Sequence, residues 1–174
     1  MIADYADPTA QQTQTAHKSP NIAIIGIGTD YRRDDAAGLL VARALKGHVP
    51  SGATVHECAG ASFELIDLWV GADLVILVDA VCSGAGAGTI YHIEVRNAPI
   101  PSYFFHYSTH GFNLADTIEL ARLLGKLPPR VVVFGVEGAD FAYGAGLSED
   151  IAPAIERLAA SVLDCALNYM ESEG

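Results

Sequence analysis

The stretch Ile22-Ala23-Ile24-Ile25-Gly26-Ile27-Gly28 opens with four apolar residues in a row and runs into a glycine turn. A strand with one wet face alternates apolar and polar residues; this run does not, so it reads as a strand covered on both faces. Two later runs share that character. Leu74-Val75-Ile76-Leu77-Val78 stops at Asp79, and Val131-Val132-Val133-Phe134 follows Pro128-Pro129. Helical periodicities lie between and after them. Ala36, Leu40 and Ala44 recur every four residues, which predicts a helix ending near Gly47. A strand at 53–57 precedes a helix near 62–70 carrying Leu65, Ile66 and Trp69. Gly84, Gly86 and Gly88 turn the chain into a strand at 89–95, and Leu114, Ile118 and Ala121 stripe a helix over 112–124. The last helix has Ser148 as its expected cap, with Glu149 and Asp150 at its positive end. Strands alternating with helices predict an α/β fold: a single-domain three-layer sandwich with a mostly parallel twisted sheet covered by helices on both faces.

The domain is expected to span 21–174, behind a mobile polar tail at 1–20 rich in Thr, Gln, Pro and Ala. That tail lacks a basic start and an apolar stretch, so it is not expected to be a signal peptide. No apolar run approaches the roughly 18 residues of a membrane span. The net charge of −11 argues against nucleic acid and anionic membranes as partners. Cys58, Cys82 and Cys165 are odd in number and widely spaced, as expected of reduced thiols in a cytoplasmic protein.

In such sheets the ligand site forms beyond the carboxyl ends of the strands, where strand order reverses. The first strand delivers Gly26-Ile27-Gly28 and the polar loop Thr29 to Asp35; the second buried run delivers Asp79. Asp34 and Asp35 also suit an N-cap and a first-turn acid, and Asp79 suits an Asx turn. His110 stands just ahead of a helix, with His106 as its rival. Two carboxylates and an imidazole converging there would make an N/O site for a divalent first-row metal with coordination positions left open. The dinucleotide fingerprint fails, because Gly28 is followed by Thr29, Asp30 and Tyr31, and neither a phosphate-binding lysine loop nor a GxSxG elbow is present. An anion site at the glycine turn is opposed by the acidic loop 30–35.

These blocks resemble a known family. Gly26-Ile27-Gly28 with Asp34-Asp35-Ala36-Ala37-Gly38 resembles the opening motif of hydrogenase maturation endopeptidases, G-x-G-N and then D-D/E-x-x-G. Leu77-Val78-Asp79-Ala80-Val81, trailed by Gly88-Thr89, is similar to the second motif, and Ser108-Thr109-His110-Gly111-Phe112 to the third. Phe134-Gly135-Val136-Glu137 matches the family's last strand, and the resemblance runs in order over about 22–165. It implies a catalytic and metal-binding triad of Asp35, Asp79 and His110. It also implies a substrate: the nickel-loaded large-subunit precursor of a nickel–iron hydrogenase, from which a C-terminal peptide is removed. Nickel would arrive with the substrate, and other divalent metals are expected to fit the site in vitro.

A metal there would polarise the scissile carbonyl or activate water, or would only position the substrate. Asp34 is then a candidate base and Arg33 a candidate for neutralising charge. A non-proteolytic nickel chaperone that binds the immature subunit would carry the same triad. Two departures from the family stand out. Thr29 replaces the usual asparagine, and Glu57-Cys58-Ala59-Gly60 stands where D-G-G-T is common, a segment tied to the choice of hydrogenase. Tyr103, Phe104 and Phe105 are expected in the core.

Overall fold

In the computed structural model, residues 20–60, 63–95, 99–105 and 113–173 are described. Strand β1 (Ile22–Ile27) is buried along its whole length, as its unbroken apolar run requires. It pairs in parallel with β2 (Ala53–Cys58) on one side and β3 (Leu74–Val81) on the other. β5 (Arg130–Glu137) adds in parallel to β3, and β4 (Ile90–Val95) closes that edge antiparallel to β5. The order is β2-β1-β3-β5-β4, so the mostly parallel sheet is as expected.

Alternate residues of each central strand feed two separate cores, because successive side chains leave a strand on opposite faces. Ala23, Ile25, Val75 and Leu77 pack with α2 (Phe63–Leu68) and α3 (Leu114–Leu123), through Leu65, Ile66 and Ile118. Ile22, Ile24, Leu74 and Ile76 pack with α1 (Ala37–Leu45) and α4 (Ala152–Glu173), through Val41, Leu158 and Val162. The three layers are thus helices, sheet and helices. Phe105 is buried and Phe104 half-buried against the α2–α3 core. Among the described residues no helix is long and apolar enough to cross a membrane.

Three boundaries differ from expectation. β3 continues two residues past Asp79, because Ala80 and Val81 still pair with Val136 and Glu137 of β5. α4 starts at Ala152, with Pro153 in its first turn, where a missing N–H costs nothing. Ser148 does not cap it by side chain; its hydroxyl is donated to Asp34, and only its carbonyl accepts from Ile151 and Ala152. α3 starts at Leu114, two residues later than the periodicity suggested, capped by Asn113 in a reciprocal capping box with Asp116. The tail expected at 1–20 falls, except for Pro20, outside the described residues.

Helix α1 crosses β1 backbone against backbone, through two glycines. A Cβ at Gly26 would meet the Gly38 carbonyl, and one at Gly38 would strike the carbonyl oxygens of Ile27 and Val78. Both obstacles are backbone and cannot swing aside. Gly38→Ala is therefore expected to push α1 off the sheet and cost about 3 kcal/mol, read as a lower midpoint in urea unfolding.

Candidate active site

β1 hands the chain to β2 on one side of the sheet, while β3 lies on the other, so strand order reverses between the carboxyl ends of β1 and β3. From β1 the chain leaves through Gly28, whose φ of +149° few side chains tolerate. A side chain there would also run into the Asp35 carbonyl, so the glycine lets the loop fold back over its own strand. Asp34 and Asp35 then sit in a 3-10 turn, Arg33–Ala36, rather than capping α1. The Gly28 N–H donates to the Cys58 carbonyl at 3.1 Å, which ties this turn to the end of β2.

Asp35 is half-buried and accepts hydrogen bonds from the hydroxyl and the backbone N–H of Thr29. Thr29 thus holds the site acid directly in the position where the family usually has asparagine. Burial raises the Asp35 carboxyl above its ordinary pKa, partly offset by Thr29 and by the charge of Arg32. Asp79 belongs to the body of β3, opposite Gly135, and its Oδ1 accepts the Ala80 N–H at 2.8 Å. It is not spent in a turn. Burial and then the negative charge of Asp35 push the Asp79 carboxyl well above the usual range, against the lowering effect of the Ala80 N–H. The two site acids therefore feel each other, and ionising both is costly unless a cation joins them.

That cost is measurable. A carboxyl whose folded pKa is raised stabilises the protein below its unfolded value, here 3.8, and loses that contribution as pH rises through the folded value. Above that range, burying Asp79 is thus a burden on the metal-free fold. Asp79→Asn, which keeps an oxygen for the Ala80 N–H, is expected to raise the Tm of metal-free protein by about 3 °C at pH 7. The gain should vanish near pH 4 in the same calorimetric series.

Asp34 does something else. It is sealed from solvent, and its Oδ2 accepts from the Ala139 and Asp140 N–H groups and the Ser148 hydroxyl, all at 2.8 Å. Its Oδ1 accepts the Ser148 N–H at 2.7 Å. Burial raises its pKa, but these bonds from Ser148, Asp140 and Ala139 outweigh it and hold the carboxyl below its ordinary value. An acid so saturated and enclosed fastens the 139–148 loop and is no base. Arg33, the expected neutralising cation, turns away at φ +47° to pair with Asp140 at 3.2 Å. The cation whose charge reaches Asp35 is Arg32.

Glu137, whose role was not legible, is a second such fastener. Buried at the end of β5, it accepts from the Ser83 N–H and hydroxyl and from the Gly84 N–H, at 2.7–3.1 Å. It holds the segment that follows β3. On the other flank, Arg43 of α1 pairs with Asp30 at 2.6 Å and Glu57 at 2.7 Å, joining the site loop to the Glu57–Gly60 segment. None of the three cysteines is joined in a disulfide, and the Cys58 thiol donates to the Gly60 carbonyl at 3.3 Å.

His110 and His106 lie outside the described residues; the chain resumes at Asn113, the cap of α3, a helix on the sheet face to which Val75, Leu77 and Val81 also belong. Among the described residues no group of three His, Cys, Asp or Glu side chains is arranged to hold a metal. What the described part does contain is an acid pair that favours a cation between its members, which fits a metal and opposes a phosphate.

Fold and site together define an α/β domain whose switch point carries paired acids in place of a phosphate cradle. The model of the hydrogenase maturation protease family matches residues 40–165, which include Asp79 and His110 and begin just after Asp35. The hydrogenase 2 maturation protease of Escherichia coli strain K12 is 26% identical over 160 residues, covering 87% of this chain and 96% of its own. The solution structure of an endopeptidase from Escherichia coli superposes with a TM-score of 0.74 at 25% identity, over 86% of this chain and 93% of that one. The crystal structure of a NiFe hydrogenase maturation protease from Thermococcus kodakarensis does so with a TM-score of 0.64 at 28% identity, over 85% and 93%. The chain belongs to the hydrogenase maturation protease family, and its activity is that of an endopeptidase.

Proposed function

We propose that this chain removes a C-terminal peptide from the nickel-loaded large-subunit precursor of a nickel–iron hydrogenase, and that it does so in the cytoplasm. The observation that carries the reading is the Asp35–Asp79 pair: two carboxyls at the switch point whose mutual repulsion a divalent cation would relieve. In this reading His110 completes the donor set, and the nickel belongs to the substrate. Held there, the metal ion would anchor the precursor and withdraw charge from the peptide carbonyl beside it. Other divalent metals would be accepted in vitro, since oxygen and imidazole donors select weakly among them.

The chain's own residues do the rest. Thr29 orients Asp35 by two hydrogen bonds, and Arg32 moderates its charge. Asp34 and Glu137 hold the loops after β5 and β3, so that the site is set before substrate arrives.

Incubating the purified protein with nickel-loaded and nickel-free precursor, and reading the C-terminus by intact mass, tests this. Loss of a short C-terminal peptide from the nickel-loaded form alone is the expected result. Binding without cleavage would replace the protease reading with a chaperone. Equal cleavage of both forms would remove nickel from it.

A further inference from the structure

We propose that Tyr31 and Tyr143, with Arg32 beside them, form the shelf on which the substrate polypeptide flanking the cleaved bond is laid. This rests on the protease reading above. Tyr31 and Tyr143 are among the most exposed large side chains described, at 74% and 84%. They stand on different segments, one leaving β1 and the other in the loop after β5, yet the backbone joins them. Arg32 and Gly144 form a parallel bridge, with the Gly144 N–H donating to the Tyr31 carbonyl at 3.0 Å and the Arg33 N–H to the Gly144 carbonyl at 3.1 Å. One residue back from that bridge on each segment stand the two tyrosines.

The shelf is held firmly. Arg32 donates to the Phe141 carbonyl at 3.3 Å and lies over the Tyr143 ring, 5.4 Å from its centroid. The Asp34 N–H donates to the Asp140 carbonyl at 3.1 Å, and the Asp34 carboxylate gathers the rest of the loop. Exposed aromatics on a backbone this constrained lose little freedom when covered, and Tyr and Arg dominate binding hot spots for that reason. Their rings bury apolar side chains, while phenol and guanidinium donors suit the carbonyls of an extended chain.

Position names the occupant. Tyr31 and Arg32 belong to the same short loop as Asp35, four and three residues ahead of it, and the Arg32 charge acts on that carboxyl. A chain whose peptide bond lies at the Asp35–Asp79 pair has this rim beside it, because Arg32 both acts on Asp35 and carries the Tyr143 ring. Val70, Leu123 and Leu124, which are also exposed, lie at the opposite edge of the sheet, where the strands begin.

The test is the full-length Tyr31→Ala/Tyr143→Ala protein beside the wild type and Leu123→Ala, with nickel-loaded precursor of the source organism. Both direct binding and cleavage rates are measured. The expected result is a rise of about tenfold or more in Kd and KM for the double variant, with kcat within about twofold and Leu123→Ala unchanged. Unchanged Kd and KM would overturn the shelf while leaving the protease reading intact. So would a loss of kcat at constant KM, which would mean that the tyrosines serve the chemistry or the fold. If the wild type binds but does not cleave, a weakened Kd in the double variant still supports the shelf as the protease reading falls. A wild-type dimer that dissociates in the variant would assign the rim to a second copy of this chain instead. No precursor binding by the wild type would end both readings.

Discussion

Alanine at Asp35, at Asp79 or at His110 is expected to lower the rate of precursor processing by at least about a thousandfold, each to a similar floor. The three act as one unit in the proposed site, so removing a second member should add little to the loss of the first. Single-turnover cleavage of the nickel-loaded precursor measures this, and strictly multiplicative losses would show that the three do not share one metal ion. The two aspartates should also separate activity from stability. Asp79 is pushed well up in pKa by burial and by Asp35, so its removal is expected to relieve a cost while abolishing processing. A residue that a fold would do better without, at a switch point, is the mark of a candidate functional group, and these two readouts together test it.

Asp34→Ala is expected to do the reverse: a severe loss of stability, with activity lost only through the fold. It would strand the N–H groups of Ala139, Asp140 and Ser148 with no acceptor in a sealed site. Breaking such a buried network costs about 4 kcal/mol, or roughly 8–16 °C in Tm for a chain of this size. The pH dependence carries a clear sign. Asp34 has a depressed folded pKa, so its contribution is present above the unfolded value of 3.8 and is lost as pH falls through the folded value. The gap in Tm between wild type and variant should be widest near neutral pH and close in strong acid. A gap that stayed constant down to pH 2 would place the cost in packing and not in the charge.

These two neighbours show where local reading stops. The pair Asp34-Asp35 was legible as two acids at the mouth of a helix, and capping was a fair reading of either. In the fold they share a 3-10 turn, where three residues complete a revolution and successive side chains point about 120° apart. One is thus aimed at the 139–148 loop and the other toward Asp79. Nothing within the loop itself says which is which; the partners of Asp34 lie 105 to 114 residues away. The motif resemblance named Asp35 by position alone. The same limit applies to Arg32 and Arg33: both reach the loop after β5, yet it is the Arg32 charge that acts on Asp35, while Arg33 pairs with Asp140. Glu137 was legible as the end of a strand, but its acceptor role depends on the turn after β3 coming back to meet it.

By itself the sequence determined the class of fold, the sites where the chain turns, and the arrival of acids at the ends of β1 and β3. The physical reason is that burial imposes its periodicity on every short segment, so Ile22–Ile25 or Leu74–Val78 declares a doubly covered strand without reference to any other. Only the tertiary structure decided the strand order, the antiparallel edge at β4, the extension of β3 past Asp79, and the division of labour among the carboxylates. Those depend on pairings between segments far apart in the chain. A carboxylate's role follows from the donors, charges and solvent around it, and here it is the distant loops that supply them.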